Sequence, residues 1–357
     1  MSSQATSPES ALAVPAPKRR GLADTIGFAH LECQIEAVMQ RIAVRDGAKL
    51  ERILEDKGVD PGDRWRMAIA PHDDYAYAGY MYPLVLRNMA APVIIIFGVA
   101  HKARQLGLED QLVFDSFTHW RGPYGDIAVS PLRDRITAKL SETGWRVSDE
   151  MQSIEHSVEA KLPFLQYYNR GVEFVPILVP HMSFSRMNEL ASQLARAIAE
   201  LVRDERWGWG ADIALLSSTD AVHYGDEGWG GRNFALYGAD AEGYAKALVH
   251  EQQIMNDCFR GDLQPDKIKM FTRYTLADHD HREYKWTWCG RYSVPFGLLT
   301  SWHLQQSLRA PPLTGTILGH TTSLEDQRIS VEDLDGMGVT APATLRHWVG
   351  YAAVGFR

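Results

Sequence analysis

Three short apolar segments of the sequence each run directly into a cluster of polar or ionisable residues. Residues 67–70 precede the cluster at 71–74, residues 93–97 precede 98–101, and residues 213–216 precede 217–220. Continuous apolar runs of this length are typical of strands buried on both faces, as in the sheets of α/β proteins. Ligand sites in open α/β sheets lie beyond the carboxyl ends of the strands. The pattern therefore predicts an α/β fold with its polar clusters where such a site forms.

The segments between and after these strands predict the remaining layers. Apolar residues recur near helical spacing across 26–57, and further helices are predicted near 80–89, 131–140, 158–168, 186–202, 233–258 and 294–306. Additional strands are predicted at 172–179, 313–318 and 349–356. No Pro-, Gly- or Ser-rich linker divides the sequence after residue 21. We predict a disordered tail over 1–21 and a single-domain layered sandwich over 22–357, with a central mixed, mostly parallel sheet.

Charge, hydropathy and cysteine content exclude several classes of function. The 37 Lys and Arg against 45 Asp and Glu give a net charge of −8, which disfavours non-specific binding to nucleic acid or anionic membranes. The longest nearly unbroken apolar run, 90–100, is shorter than the roughly 20 residues that span a bilayer. The N-terminal residues lack the charge-then-apolar order of a signal peptide, and three cysteines without a CxxC pair indicate reduced thiols. We expect a cytoplasmic protein without nucleic-acid or membrane partners, and the sequence leaves its oligomeric state open.

Four residues in or near the polar clusters indicate a metal site: His72, His101, His223 and Cys289. Imidazole and thiolate suit iron, copper or zinc better than magnesium or calcium. A lone histidine after a strand is more often a hydrogen-bonded polar residue, and a lone cysteine is more often a small buried apolar one. Spacing alone therefore leaves open a metal-free pocket for a peptide or small ligand. Phosphate-loop, dinucleotide, zincin and nucleophile-elbow motifs are absent from the sequence.

Five motifs in the sequence resemble those of the Memo family, whose bacterial members are also called AmmeMemoRadiSam system protein B. They are APHDDYAYAG at 70–79, FGVAH at 97–101, EHSVEAKLPF at 155–164, SSTDAVH at 217–223 and CGR at 289–291. They follow the family's order across roughly residues 65–300, and residues 351–355 are similar to its closing strand. The resemblance implies a fold similar to that of class III extradiol dioxygenases, which are non-haem iron enzymes.

The resemblance also implies roles for individual residues. His72, His101 and Cys289 match the metal-ligand positions of the family. His223, together with Asp220, matches a pair whose histidine in the dioxygenases is an acid/base beside the metal. The dioxygenases have a carboxylate where Cys289 stands, and a thiolate is softer and donates more charge.

The sequence departs from the family pattern at two places. Asp73 and Asp74 follow the first motif histidine, where family members commonly have small residues, and Lys161 stands where a histidine is common. Three roles of the two aspartates remain open: they fix an imidazole tautomer, they contact a cationic group of the substrate, or they face water.

Other residues near the predicted site are candidate substrate contacts. Trp286 and Trp288 alternate along a predicted strand in 284–292, which a pocket wall or ordinary strand packing explains equally well. The predicted substrate-binding set is Asp73, Asp74, Tyr75, Glu159, Trp288 and Arg291. The run DHDH at 278–281 allows a second metal site, but a hydrated acidic loop explains it without an ion.

The resulting hypothesis is a non-haem metal-dependent oxygenase or oxidoreductase. We expect Fe2+ as the cofactor, with copper or zinc as alternatives, and a small aromatic or phenolic substrate that reacts with O2. Three protein ligands leave coordination positions for both reactants. The alternatives are a non-catalytic copper- or iron-binding redox or signalling protein, and a zinc-dependent hydrolase with an activated water.

Overall fold

A computed structural model describes residues 16–325 and 328–357. Its helices are α1 (Glu32–Asp56), α2 (Tyr75–Ala78), α3 (Met81–Leu86), α4 (Leu132–Thr137), α5 (Asp149–Ile154), α6 (Leu162–Tyr168), α7 (Phe184–Asp204), α8 (Ala241–Phe259), α9 (Pro265–Thr275) and α10 (Ser293–Leu308). Its strands are β1 (Arg19–Arg20), β2 (Met67–Ala70), β3 (Val93–Val99), β4 (Leu112–Phe114), β5 (His119–Gly122), β6 (Gly125–Ala128), β7 (Trp145–Val147), β8 (Glu173–Val179), β9 (Ile213–Ser218), β10 (His223–Gly225), β11 (Gly261–Asp262), β12 (Thr314–Thr322) and β13 (His347–Phe356). Short 3₁₀ helices span Ala103–Leu106 and Glu159–Lys161.

A ten-stranded mixed sheet forms the centre of the fold. Its strand order is β11-β12-β13-β2-β9-β3-β8-β4-β7, with β10 paired to the start of β13. Strands β2, β9, β3 and β8 are parallel neighbours, and antiparallel β13 and β12 extend the sheet beyond β2. The prediction of an α/β fold with a central mixed, mostly parallel sheet is confirmed.

Helices cover both faces of this sheet, so its central strands are buried on both sides. Strand β3 is buried along its whole length, and its side chains alternate between two cores. Ile95 and Phe97 pack in the core that includes α7, α8, α9 and α10, while Ile94 and Ile96 pack in the core that includes α1, α3 and α6. This two-sided burial explains why the strand sequences are continuous apolar runs rather than alternating ones. Within the described residues, no helix combines the length and the apolar character that a membrane crossing requires.

The predicted helices form, but some of their ends differ from the predicted ones for local reasons. The helix predicted at 233–258 begins only at Ala241, because the Asp240 side chain caps it by accepting the Gly243 N–H at 2.8 Å. The helix predicted at 158–168 is a 3₁₀ turn followed by α6, whose first turn contains Pro163.

The strand predicted in 284–292 does not form. Residues Tyr284 and Trp288 make only isolated bridges, and the Trp288 N–H donates locally to the Trp286 carbonyl at 3.0 Å. The indole N–H groups of Trp286 and Trp288 instead both donate to one carboxylate oxygen of buried Glu251, at 2.5 and 2.7 Å. The other Glu251 oxygen accepts the Val222 N–H at 3.3 Å. The two tryptophans are therefore supports of a buried carboxylate rather than a strand face.

The prediction of a disordered tail is wrong for residues 19–20, which lie in a strand. Arg19–Arg20 form β1, which pairs in parallel with β5, and Arg20 is only 2 % exposed. The Arg20 guanidinium donates to the Gln152 carbonyl at 2.7 Å and forms an ion pair with Glu159. These partners lie more than 130 residues away, so the local composition gave no sign of them. Residues 1–15 of the predicted tail lie outside the described residues.

Candidate metal centre

The predicted metal ligands meet beyond the carboxyl ends of neighbouring strands. His72 follows β2, His101 follows β3, and Cys289 lies in the loop before α10. One donor atom from each of the three lies within 4.8 Å of the others, and Cys289 Sγ is 3.3 Å from His72 Nε2. The fold therefore brings together side chains up to 217 positions apart in the sequence.

Glu155 orients the His101 ring. His101 Nδ1 lies 3.0 Å from Glu155 Oε1, and the His101 backbone N–H donates to Glu155 Oε2 at 2.9 Å. Burial raises the pKa of Glu155, but the charge and hydrogen bonds of His101 outweigh this and hold it below its usual value. The ionised Glu155 accepts a hydrogen bond from the His101 Nδ1–H. Nε2 is therefore left as the ligand atom of His101.

Ser218 and Lys161 orient the His72 ring. The Ser218 hydroxyl donates to the Ser157 carbonyl at 2.6 Å and accepts a hydrogen bond from Lys161 Nζ. The ammonium form of Lys161 can only donate hydrogen bonds. The single hydroxyl proton of Ser218 is therefore the one donated to the Ser157 carbonyl. His72 Nδ1, 2.7 Å from Ser218 Oγ, is then the protonated nitrogen, and its Nε2 lone pair is free for a metal. Burial lowers the pKa of Lys161 to about 7 while Asp220 opposes the shift.

The donor set of the cluster fits a transition metal. Burial, followed by the charge of Lys161, holds the pKa of His72 well below its usual value, so its imidazole is neutral as metal binding requires. Burial and the nearby Asp220 raise the pKa of the Cys289 thiol, while His101 opposes this. A coordinated thiol loses its proton to the charge of the ion. Burial lowers the pKa of His101, but Glu155 and Cys289 outweigh this and raise it well above its usual value, so a metal must displace the His101 Nε2 proton. Two imidazoles and one thiolate suit iron, copper or zinc, and this cluster can hold such an ion.

We expect Glu155→Gln to lower metal affinity by roughly 10–100-fold, because the substitution removes the anionic partner of the His101 ring. Competition with a coloured chelator measures this affinity. Glu109→Gln is the matched control, since Glu109 also pairs with a histidine, His181, at 2.9 Å but outside the cluster. Equal affinity of wild type and Glu155→Gln would show that this carboxylate does not support metal binding.

Asp220 and His223 lie beside the three predicted ligands. Asp220 Oδ1 accepts the His72 N–H at 2.8 Å, and Oδ2 is 3.4 Å from His72 Nε2 and 3.9 Å from His223 Nε2. Burial and Asp73 raise the pKa of Asp220 to about 8, and burial lowers the pKa of His223 to about 3. His223 Nε2 is buried and has no hydrogen-bond partner among the described residues. It is a neutral imidazole nitrogen available to a bound molecule.

Two overlapping sets of donors extend the cluster. The ligand atoms of Asp220, His223 and Cys289 lie within 4.8 Å of one another, and so do those of His101, Glu155 and His156. The acidic loop at 278–281 is in none of the sets found in the described part of the chain, and Asp280 Oδ1 instead accepts the Arg282 N–H at 2.9 Å. The second metal site considered for that loop has no structural support.

A cavity of about 330 Å3 opens beside the cluster. His72, His101 and His223 line it together with Asp73, Asp74 and Asp220. The stacked pair Trp229 and His347, whose ring centroids are 4.1 Å apart, forms part of its aromatic lining. The cavity gives a small molecule access to the His223 ring and to two of the side chains that can hold a metal, His72 and His101.

Only some of the predicted substrate contacts reach this cavity. Asp73 and Asp74 line it, and their carboxylates accept hydrogen bonds from Tyr351 (2.5 Å) and Thr340 (2.6 Å) rather than from a metal-site imidazole. Arg291 lines a second cavity. The other three predicted contacts are packed elsewhere: the Tyr75 hydroxyl donates to the Ala160 carbonyl, Glu159 pairs with Arg20, and Trp288 donates to Glu251.

From the sequence, Glu155 and His156 have two alternative roles, support of the site or favourable charge at the start of a helix, and Trp229 is not indicated at all. His156 stacks on His101, with centroids 5.0 Å apart and the rings 7° from parallel, and burial lowers its pKa to about 4. Its position directly after Glu155 in a family-like motif was the available signal. Trp229 lies in a glycine-rich loop without periodicity, so nothing local indicated that it forms a cavity wall.

Comparison with known proteins gives consistent similarity to one family. The pattern of the Memo-like protein family matches residues 44–332. A MEMO1 family protein of Pyrococcus furiosus is 28% identical over 288 residues, or 78% of this chain and 87% of that protein, and one of Thermococcus onnurineus is 28% identical over 325 residues, or 86% and 92%. A MEMO1 family protein of Thermococcus kodakarensis is 31% identical over 185 residues, a match that spans 49% of this chain and 59% of that relative's length.

Proposed function

The chain belongs to the Memo family, and we propose that it is a non-haem metal-dependent oxygenase or oxidoreductase. We propose iron as its cofactor and a small aromatic or phenolic molecule as its substrate. The observation that carries the proposal is the convergence of His72, His101 and Cys289 next to an accessible cavity. Bound iron would supply activation of O2 and polarisation of a chelating substrate, because three protein ligands leave coordination positions free.

The side chains around the cavity support this chemistry in two ways. Trp229 and His347, which stack on each other in the cavity wall, provide aromatic side chains that an aromatic substrate would contact. His223 Nε2 accepts the proton of a substrate hydroxyl that enters the cavity. Asp220 Oδ2, at 3.9 Å, favours the protonated imidazole once its own carboxyl is ionised, and burial raises the pKa of that carboxyl to about 8. Substrate ionisation is therefore assigned to His223, and its orientation to the cavity walls.

Oxygen consumption by iron-loaded protein tests the proposal. Protein purified without oxygen and loaded with Fe2+ is expected to consume O2 only after a substrate is added, and a set of phenols and catechols covers the predicted class. Metal retained without substrate-dependent uptake across this set would support the non-catalytic metal-binding role instead. Zinc retained together with hydrolysis of an ester or amide would support the hydrolase alternative.

We expect His223→Gln to lower kcat for oxygen consumption by about 10²–10⁴-fold while iron content stays unchanged, because the variant lacks the acid/base nitrogen but none of the three main ligands. His347→Gln is the matched control, since His347 lines the same cavity through ring stacking. That control is expected to raise KM more than it lowers kcat. Equal losses of kcat in both variants would contradict the acid/base role of His223.

A further inference from the structure

A second cavity, of about 190 Å3, lies on the Cys289 side of the metal centre. It shares His101 with the main cavity and includes Cys289 in its lining. Its described lining contains four arginines and no acidic residue: Arg104, Arg232, Arg282 and Arg291. The described lining of the main cavity has three aspartates and no lysine or arginine. The metal centre therefore lies between a cavity with aspartates in its lining and a basic cavity with arginines in its lining.

The arginines of this basic cavity outnumber the carboxylates that neutralise them. Glu283 pairs with both Arg104 and Arg232, at 3.3 and 3.8 Å. Glu109 pairs with Arg282 at 3.2 Å and also contacts His181. Arg104, Arg232 and Arg282 share these two carboxylates, and Arg291 pairs with neither of them, so the guanidinium groups of the lining outnumber the carboxylates paired with them by two.

Arg291 is the arginine of this lining that pairs with neither Glu283 nor Glu109. It is 8 % exposed, its Nη2 donates to the Arg282 carbonyl at 3.3 Å, and its Nε is buried with no hydrogen-bond partner in the described part of the chain. Its Cζ lies 3.5 Å from the ring centroid of Tyr284 and 4.8 Å from that of Tyr292. These rings hold the guanidinium in a fixed orientation in the cavity wall. A buried N–H without an acceptor is costly, and a bound anion would satisfy it.

We propose that the basic cavity binds a small oxyanion, the carboxylate or phosphate group of a substrate or co-substrate, anchored by Arg291. The planar guanidinium presents N–H groups in the fork that matches carboxylate and phosphate oxygens. Because Cys289 and His101 line the same cavity, the anion lies beside two of the side chains that can hold the metal. The anion's part in catalysis rests on the proposed function, whereas its binding does not.

Calorimetric titration of metal-free protein tests the proposal without any contribution from metal. Inorganic phosphate and malonate are titrated separately at low ionic strength, so that the two arms distinguish phosphate from carboxylate. We expect saturable binding of one anion per chain by wild type. We expect Arg291→Met to weaken it by roughly tenfold or more, because hydrogen bonds to a charged group are lost.

Arg66→Met is the matched control for the loss of one positive charge. Arg66 also lies against an aromatic ring, 5.2 Å from that of Trp209, and donates to the carbonyls of Pro311 and Pro312. It immediately precedes β2, at the end of that strand opposite His72, and its variant is expected to bind the anion like wild type.

Three results would overturn the inference: no saturable binding of either anion by wild type, equal affinity in Arg291→Met, or equal weakening in Arg291→Met and Arg66→Met. If thermal melts show that Arg291→Met does not fold, Arg282→Met, at a half-exposed position, takes its place with the same expected weakening. Anion binding without any oxygen consumption by iron-loaded protein would contradict only the proposed function.

Discussion

Cys289→Ala is expected to reduce bound iron from about one ion per chain to near zero, because two imidazoles without the thiolate hold a divalent ion weakly. Elemental analysis after anaerobic iron loading and desalting measures the content. Cys258→Ala is the matched control: both cysteines are buried, at 1 % and 3 % exposure, but Cys258 lies in α8 within the apolar core. The control is expected to keep full metal content.

The pattern of loss across variants also separates the competing ligand sets. Loss of metal in both Cys289→Ala and His101→Ala fits the set of His72, His101 and Cys289. Loss only in His101→Ala would move the ion to the set of His101, Glu155 and His156. Full metal content in both variants would contradict the centre described above and favour a metal-free pocket.

Glu159→Ala is expected to lower the free energy of unfolding by about 3–5 kcal/mol, because it leaves the buried Arg20 guanidinium without its counter-charge. Glu159 also accepts the backbone N–H groups of Ala23 (2.9 Å) and Asp24 (3.1 Å), so the segment after β1 loses its attachment as well. Urea unfolding followed by tryptophan fluorescence measures the loss.

An exposed ion pair provides the comparison for this large effect. Glu36 and Arg170 are 3.3 Å apart with about half of each side chain exposed, and Glu36→Ala is expected to cost less than about 1 kcal/mol. A double variant, Arg20→Met with Glu159→Leu, is expected to recover most of the lost stability, since an apolar pair leaves no unpaired charge. A loss in Glu159→Ala no larger than in Glu36→Ala would show that the Arg20 pair is not a determinant of stability.

The parts of the fold that could be predicted are those encoded in short stretches of sequence. Unbroken apolar runs before His72 and His101 identify strands buried on both faces, and parallel strands bring their carboxyl ends to one edge. The position of Cys289 came from its resemblance to a family motif, because no periodicity marks it. The structure brings its thiol within 3.3 Å of His72 Nε2.

The parts that could not be predicted depend on pairings between distant segments. Arg20 and Glu159 are 139 residues apart, and the sequence around each of them does not indicate that its side chain is buried in an ion pair. Trp288 has the alternation of a strand residue, but its indole N–H turns inward to Glu251. Lys161 differs from the family pattern, and only its contact with Ser218 shows that it supports the His72 ring.

The buried carboxylate of Glu251 accepts hydrogen bonds from two segments that border the metal centre. It holds Trp288, directly before Cys289, and the backbone of Val222, directly before His223. His320 of β12 also contacts it, at 3.1 Å. The loop that carries the Cys289 thiol and the turn that carries the His223 imidazole are therefore both hydrogen-bonded to one side chain of α8, so a displacement of α8 would shift both together.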